Sequence, residues 1–131
     1  MNAARNLSPH QEAATILVVE DDVLVRLVIA EYLRSEGFHV IEAQNGEEAL
    51  SLLGSVEKVG LVITDIRMPG AVDGVTLAQC VKAEYRLPVI LVSGYYGGAI
   101  PAGIADAIFP KPYDLQSVYS AAIELLKGSE P

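Results

Sequence analysis

Two apolar runs that end abruptly on carboxylates constrain this chain more than any other feature. Thr15-Ile16-Leu17-Val18-Val19 runs straight into Glu20-Asp21-Asp22, and Leu61-Val62-Ile63-Thr64 runs into Asp65, with Met68-Pro69-Gly70 close behind. Short, β-branched and almost wholly apolar, such runs read as strands buried on both faces, as in a parallel sheet. A strand with no solvated face has nowhere along its length to carry a charge, so its carboxylates belong at its end. In open α/β sheets that carboxyl end is where ligand sites form, and Asp65 stands there.

Between the runs the period changes. In residues 23–36, Val25, Val28, Ile29 and Tyr32 fall on one helical face, and Gly37 closes the helix. Residues 38–42 form a second short strand. Asn45 precedes a helix with Glu48 three residues on as its capping partner; Ala49, Leu52 and Leu53 point inward, and Gly54 ends it. The third strand covers residues 59–64 and stops at Asp65. Asp73-Gly74 opens a third helix that carries Leu77 and Val81 inward with Cys80 beside them. The fourth strand, residues 88–93, starts at Pro88, where a proline costs no ladder bond.

A fourth helix is due next by alternation, yet Gly97, Gly98, Pro101 and Gly103 oppose one. At about 1 kcal/mol per glycine and about 3 for an interior proline, any helix there is short or frayed. Ala107-Ile108-Phe109 is a brief fifth strand. Asp114 caps a last helix whose inward face is Leu115, Val118, Ala122 and Leu125. Five strands alternating with about five helices predict a doubly wound α/β domain over residues 14–128, with helices on both faces of the sheet. Residues 1–13 and 129–131 lack periodicity and are expected to be tails.

Composition narrows the function. The chain has 131 residues, enough for one domain with a real core. A net charge of -8, with the nine Lys and Arg scattered, argues against a nucleic-acid surface. The single cysteine excludes an internal disulfide and reads as a packed thiol. Residues 1–14 carry no apolar stretch of the signal-peptide kind, and no apolar run is long enough for a membrane span, so a cytoplasmic location is expected.

In a parallel sheet the strand ends share one edge. That edge collects Glu20 and Asp21 from strand one, Asp65 from three, Ser93 from four and Lys111 from five. Each has an ordinary reading: an acidic helix N-terminus, a turn serine, a surface lysine. Together they are too complementary for those readings. Crowded carboxylates raise one another's pKa values, and a hard divalent cation such as Mg²⁺ removes that penalty. Asp21, Asp65 and the backbone carbonyl of Arg67 are candidate ligands, with Glu20 acting on the metal directly or through water. Lys111 can pair with Asp65 and with an incoming phosphoryl oxygen, Ser93 can donate to another, and Asp65 can take the phosphoryl group covalently.

These motifs resemble the receiver domain of bacterial two-component response regulators, in particular its single-domain, chemotaxis-regulator-like members. The resemblance covers about residues 15–127. Val18-Val19-Glu20-Asp21 matches the family's acidic pair, and Thr64-Asp65-Ile66-Arg67-Met68-Pro69-Gly70 with Asp73-Gly74 its phosphoacceptor stretch. Leu91-Val92-Ser93-Gly94 matches its switch hydroxyl and Pro110-Lys111-Pro112-Tyr113 its lysine; Asp22, one place past the pair, is left to helix capping. The resemblance implies a (βα)5 three-layer sandwich with strand order 2-1-3-4-5. It implies Mg²⁺, a phosphohistidine donor on a sensor histidine kinase or histidine phosphotransfer protein, and self-catalysed phosphorylation and dephosphorylation of Asp65. It further implies movement of Ser93 and Lys111 that repacks the face of helix four, strand five and helix five. That face would signal to a downstream protein, pass phosphate along a relay, or support a homodimer. The Lys111-Pro112 bond is commonly cis in the family.

The chain departs from the family at one switch position. Ile108 stands three residues before the lysine, where an aromatic is usual, and Phe109 points to the other face by alternation. Signalling is therefore expected to run through the glycine-rich 94–103 segment. Arg67 and Tyr95, two residues beyond Asp65 and Ser93, flank the phosphoryl site beside Gly94, where their bulk would hinder an attacking water. Three rivals remain. An aspartyl phosphatase would want an acid where Arg67 stands. A flavodoxin-like cofactor binder would want a phosphate loop in place of Glu20-Asp21-Asp22. The last is an inert receiver-like interaction module. The sequence is either a complete regulator or the receiver of a larger one.

Overall fold

The computed structural model describes residues 14–55, 58–94 and 100–128. Along these, β1 (Thr15–Val19), α1 (Val23–Ser35), β2 (His39–Ala43), α2 (Gly46–Ser55), β3 (Val59–Asp65), α3 (Gly74–Cys80), β4 (Val89–Ser93), β5 (Ala107–Pro110) and α4 (Leu115–Gly128) follow one another. All strand pairs are parallel, in the order β2-β1-β3-β4-β5. This is the five-stranded doubly wound fold that the alternation predicts. The order reverses between β1 and β3, which opens a crevice at their carboxyl ends.

Strand alternation divides the interior in two. Leu17, Val19, Val62 and Leu91 face α2 and α3, packing with Ala49, Leu53, Leu77 and Val81. Ile16, Val18, Ile63 and Ile90 face α1 and α4, packing with Ile29, Leu33, Val118 and Ala122. Each such side chain, fully buried, contributes about 1.5–3 kcal/mol, and both cores depend on the register of the same strands.

The helix starts are capped as the sequence predicts. Asp22 Oδ1 accepts from the N–H of Leu24 and Val25 at 3.0 and 3.2 Å. Asn45 Oδ1 accepts from Glu48 N–H at 2.7 Å, while Glu48 Oε1 reaches back to Gln44 N–H at 2.7 Å. Asp73 Oδ1 accepts from Thr76 N–H at 2.8 Å, and Asp114 Oδ2 accepts from Ser117 N–H at 3.2 Å. After α1 the chain reverses at Gly37, whose φ of 105° is the left-handed geometry that glycine tolerates.

The helix faces differ in detail from the sequence reading. In α1 the buried stripe is Ile29, Ala30 and Leu33, and Val28 is 57% exposed. Val28 lies about 100° behind Ile29 and about 200° behind Ala30, so a stripe centred on 29, 30 and 33 leaves it outside. In α4 the stripe repeats every four residues through Val118, Ala122 and Leu126; Leu126, not Leu125, is the buried leucine. The α2 helix passes Gly54 and ends at Ser55, whose hydroxyl donates to Ser51 O at 3.1 Å. Cys80 is half-buried, and beyond it α3 widens into a π-helical turn over Val81–Tyr85.

Four helices stand among the described residues, where about five were expected. Residues 100–106 run without helix, with Gly103 at φ +85°, in keeping with the low helix propensity there. Residues 95–99, where a short fourth helix is due by alternation, lie outside the described residues, as does much of the glycine-rich segment.

Candidate functional site

Register brings the polar strand ends together. Val19 is level with Thr64, so the next residues along, Glu20 and Asp65, become neighbours. Ser93 is level with Pro110, and Lys111 follows with its N–H donating to Ser93 O at 2.7 Å. The predicted set therefore meets: Lys111 Nζ donates to Asp65 Oδ2 at 2.7 Å and to Glu20 Oε1 at 2.9 Å. Glu20 and Asp65 are only 4% and 6% exposed, while Asp21 is exposed at the mouth.

The remaining polar contacts fasten this cluster. Glu20 Oε2 accepts from Asp22 N–H at 3.0 Å, so Asp22 serves the helix cap and the cluster at once. Asp65 Oδ1 accepts from Arg67 N–H at 3.3 Å; the Arg67 residue itself is exposed. The loop after β3 returns closely, with Gly74 N–H donating to Ile66 O at 2.8 Å. A Cβ on Gly74 would stand 2.1 Å from Asp65 O, so a side chain there has no room. Earlier in that loop, Glu47 Oε2 accepts from Ala71 N–H at 3.0 Å.

Burial raises the Glu20 carboxyl pKa above its usual 4.5. The Asp65 charge adds to that rise against the pull of Asp22 N–H and Lys111. For Lys111, burial works the other way, but hydrogen bonds to Asp65 and Glu20 outweigh it and hold the ammonium above its ordinary range. One oxygen from each of Glu20, Asp21 and Asp65 lies within 4.8 Å of the others. An all-oxygen donor set with more negative charge than one lysine neutralises fits a hard divalent cation.

Ser93 ends β4, the strand beside β3, where Asp65 is level with Val92. Ser93 is 9% exposed, and among the described residues its Oγ has no hydrogen-bond partner. Gly94 is exposed, and among the described residues nothing lies within 4 Å of where its Cβ would stand. Tyr95, expected to flank the site, lies outside the described residues. Ile108 is level with Leu91 on β5 and 49% exposed; Phe109 points into the opposite core, as alternation predicts. The Lys111-Pro112 peptide is cis.

Two features escaped the sequence reading. Arg26 Nη1 donates to Glu20 O at 2.8 Å, a contact from helix to strand end that periodicity does not signal. An apolar groove of about 600 Å³ adjoins Lys111, lined by Leu24, Val25, Val28, Pro112, Tyr113 and Leu115. The over-long apolar run at the start of α1 was the available sign of it.

An acidic, lysine-bridged pocket at the switch point of a doubly wound sheet defines the class of this domain. The chain belongs to the response regulator receiver domain family, whose profile matches residues 16–122. It is 36% identical over 129 residues to the transcriptional regulatory protein GlrR of Escherichia coli (strain K12), covering 93% of this chain and 28% of that protein. It is 35% identical to the transcriptional regulatory protein PdtaR of Mycobacterium tuberculosis, over 84% of this chain and 55% of that one. The chain thus spans well under two thirds of these relatives. Among solved structures it resembles the response regulator TrrA of Thermotoga maritima in complex with Mg²⁺-BeF, at TM-score 0.76 and 32% identity. That likeness covers 86% of this chain and 98% of that one. A receiver protein from Sinorhizobium medicae aligns at TM-score 0.80 and 28% identity, over 91% and 98% of the two chains. Among the described residues no helix is long and apolar enough to cross a membrane.

Proposed function

We propose that this receiver domain accepts a phosphoryl group on Asp65 from a phosphohistidine of a partner sensor kinase or phosphotransfer protein. An Asp65 oxygen attacks phosphorus in line, the P–N bond breaks, and the imidazole nitrogen keeps the electron pair and takes a proton from solvent. Lys111, already on Asp65, moves its donor onto a phosphoryl oxygen, and the Ser93 hydroxyl donates to another. A Mg²⁺ ion held by Asp21, Asp65 and the Arg67 carbonyl, with Glu20 acting directly or through water, would offset the charge gathered on the transferring group. Dephosphorylation takes water as the second acceptor: its oxygen attacks phosphorus, the bond to Asp65 breaks with the electron pair left on the carboxylate, the water proton passes to solvent, and the bulk of Arg67 at the rim would hinder that approach.

The observation that carries this reading is the Lys111 ammonium bridging Asp65 and Glu20 at the strand ends, where the Lys111 N–H also donates to Ser93 O. Support for a protein donor comes from the apolar rim, since Leu24 and Val28 are 73% and 57% exposed next to Lys111. Signal output would follow from the Ser93 hydroxyl turning toward the phosphoryl group and Lys111 leaving its present contacts, with Ile108 on the surface that would repack. That face would meet a downstream protein, a second copy of the chain, or the next carrier in a relay. The proposed setting is the cytoplasm, where phosphohistidine donors and Mg²⁺ are at hand.

The test is incubation with Mg²⁺ and a small phosphodonor, followed by intact mass. One acid-labile phosphate is expected, lost in Asp65→Asn. No adduct with any donor would leave an inert interaction module instead.

A further inference from the structure

Glu20 is fastened on every side, and one of its bonds plays no part in the transfer described above. Its N–H donates to Ala43 O at 3.0 Å, and its carboxylate meets Asp22 N–H and Lys111. Its carbonyl oxygen, past the end of the β1 ladder, accepts from Arg26 Nη1 at 2.8 Å. The same guanidinium donates through Nε to Glu42 Oε1 on β2 at 3.1 Å, and its side chain is only 16% exposed. Glu42 Oε2 is held in turn by Arg34 Nη1 at 3.0 Å.

The Glu20 carbonyl belongs to the same planar unit as the Asp21 N–H, so fixing that oxygen fixes the plane between the two residues. That plane sets the backbone torsions from which both carboxylates project. A guanidinium presents donors in a rigid fork and can hold carbonyl and carboxylate together; an ammonium is a point charge on a flexible stem. We infer that Arg26, anchored by Glu42, is a positioning residue that aims the Glu20 and Asp21 carboxylates at Asp65. The inference rests on the proposed role of that cluster as the Mg²⁺ site.

The plain alternative is a staple that joins α1 to β2 and stabilises the fold alone. Arg34 separates the two, because it shares Glu42 and also donates to Val40 O at 3.0 Å but does not touch Glu20. The experiment uses the whole chain and measures three quantities in Arg26→Ala, Arg26→Lys, Arg34→Ala and Glu42→Gln. They are the affinity for Mg²⁺ alone, thermal stability, and metal-free amide exchange at residues 20–22.

Removing a group that orients a metal ligand typically costs about 10–100-fold in affinity, and Arg26→Ala should fall in that range. Arg26→Lys should recover stability but not affinity. Arg34→Ala should lose stability with affinity changed far less than in Arg26→Ala. Exchange at Asp22, whose N–H rests on Glu20 Oε2, should quicken in Arg26→Ala and not in Arg34→Ala. If Arg26→Ala fails to fold, Glu42→Gln keeps the carbonyl bond while loosening its anchor, and should weaken Mg²⁺ binding by a smaller factor.

Native affinity in a folded Arg26→Ala, or an equal loss in Arg34→Ala, overturns the positioning role. So does unchanged affinity in Glu42→Gln where that variant stands in. If the native chain binds no Mg²⁺, the reading of the site fails instead. The exchange measurement then still decides, and unchanged protection at 20–22 in Arg26→Ala, or in Glu42→Gln standing in for it, overturns the inference.

Discussion

Glu20 sits 4% exposed beside Asp65, with one ammonium between them, and burial raises its pKa above 4.5. A carboxyl raised in the folded state stabilises the fold most below its unfolded value. Its contribution is lost as the pH rises through the native value. In metal-free buffer the stability of the native protein relative to Glu20→Gln should therefore fall as pH climbs from 4.5 toward neutrality. Urea unfolding across that interval checks the sign, and a difference that stays flat or grows would refute it. Gly74 supplies a second prediction at this scale. Its Cβ position collides with the Asp65 carbonyl at 2.1 Å, so Gly74→Ala must push apart the loop and the end of β3. A loss of about 2 kcal/mol or more is expected by denaturant unfolding, with slower phosphorylation of Asp65.

Among the elements, α1 separates packing from surface. Ile29 and Leu33 are 2% and 0% exposed, whereas Val23, Leu24, Leu27 and Val28 are 45% exposed or more. Ile29→Ala should cost about 2–5 kcal/mol, and Val28→Ser no more than about 0.5 kcal/mol. Equal costs in urea titrations would put both residues in the core and contradict the helix orientation. The apolar first half of α1 accordingly contributes little to folding, which leaves it free to serve contacts made outside the molecule. On β5, alternation gives Phe109 to the core and Ile108 to the surface. An aromatic toggle is absent at that position, and any readout there runs through an aliphatic side chain at 49% exposure.

At the scale of the whole molecule, the proposed cation site would join parts of the chain far apart in sequence. Glu20 and Asp21 follow β1, Asp65 ends β3, and Lys111 follows β5, so a cation bound at their meeting point would tie three strands together. A ligand that binds only the folded state stabilises it by about 2.7 kcal/mol at a hundred times its Kd. Mg²⁺ should thus raise the melting temperature by several degrees in calorimetry. Asp21→Asn should abolish the shift while leaving the metal-free melting point nearly unchanged, because Asp21 is exposed and contributes to no core. A full Mg²⁺ shift in that variant would move the site away from Asp21.

The strands, their burial and the identity of the polar strand ends were legible in the sequence. A doubly covered strand leaves its apolar run unbroken, and a carboxylate at the close of such a run has few other places to be. Capping was equally legible at Asp22, Asn45, Asp73 and Asp114, since a cap depends on residues within one turn. What local pattern could not decide was orientation and contact across elements. Whether Val28 or Ala30 turns inward depends on how α1 lies against β1 and β2, not on its own period. The Glu20 carbonyl's bond to Arg26 depends on where α1 begins over the sheet. The distances from Lys111 to Asp65 and Glu20 depend on the pairing of β1, β3, β4 and β5. The sequence supplied the donors and acceptors of this site, and only tertiary structure, through strand register and helix placement, brought them within bonding distance.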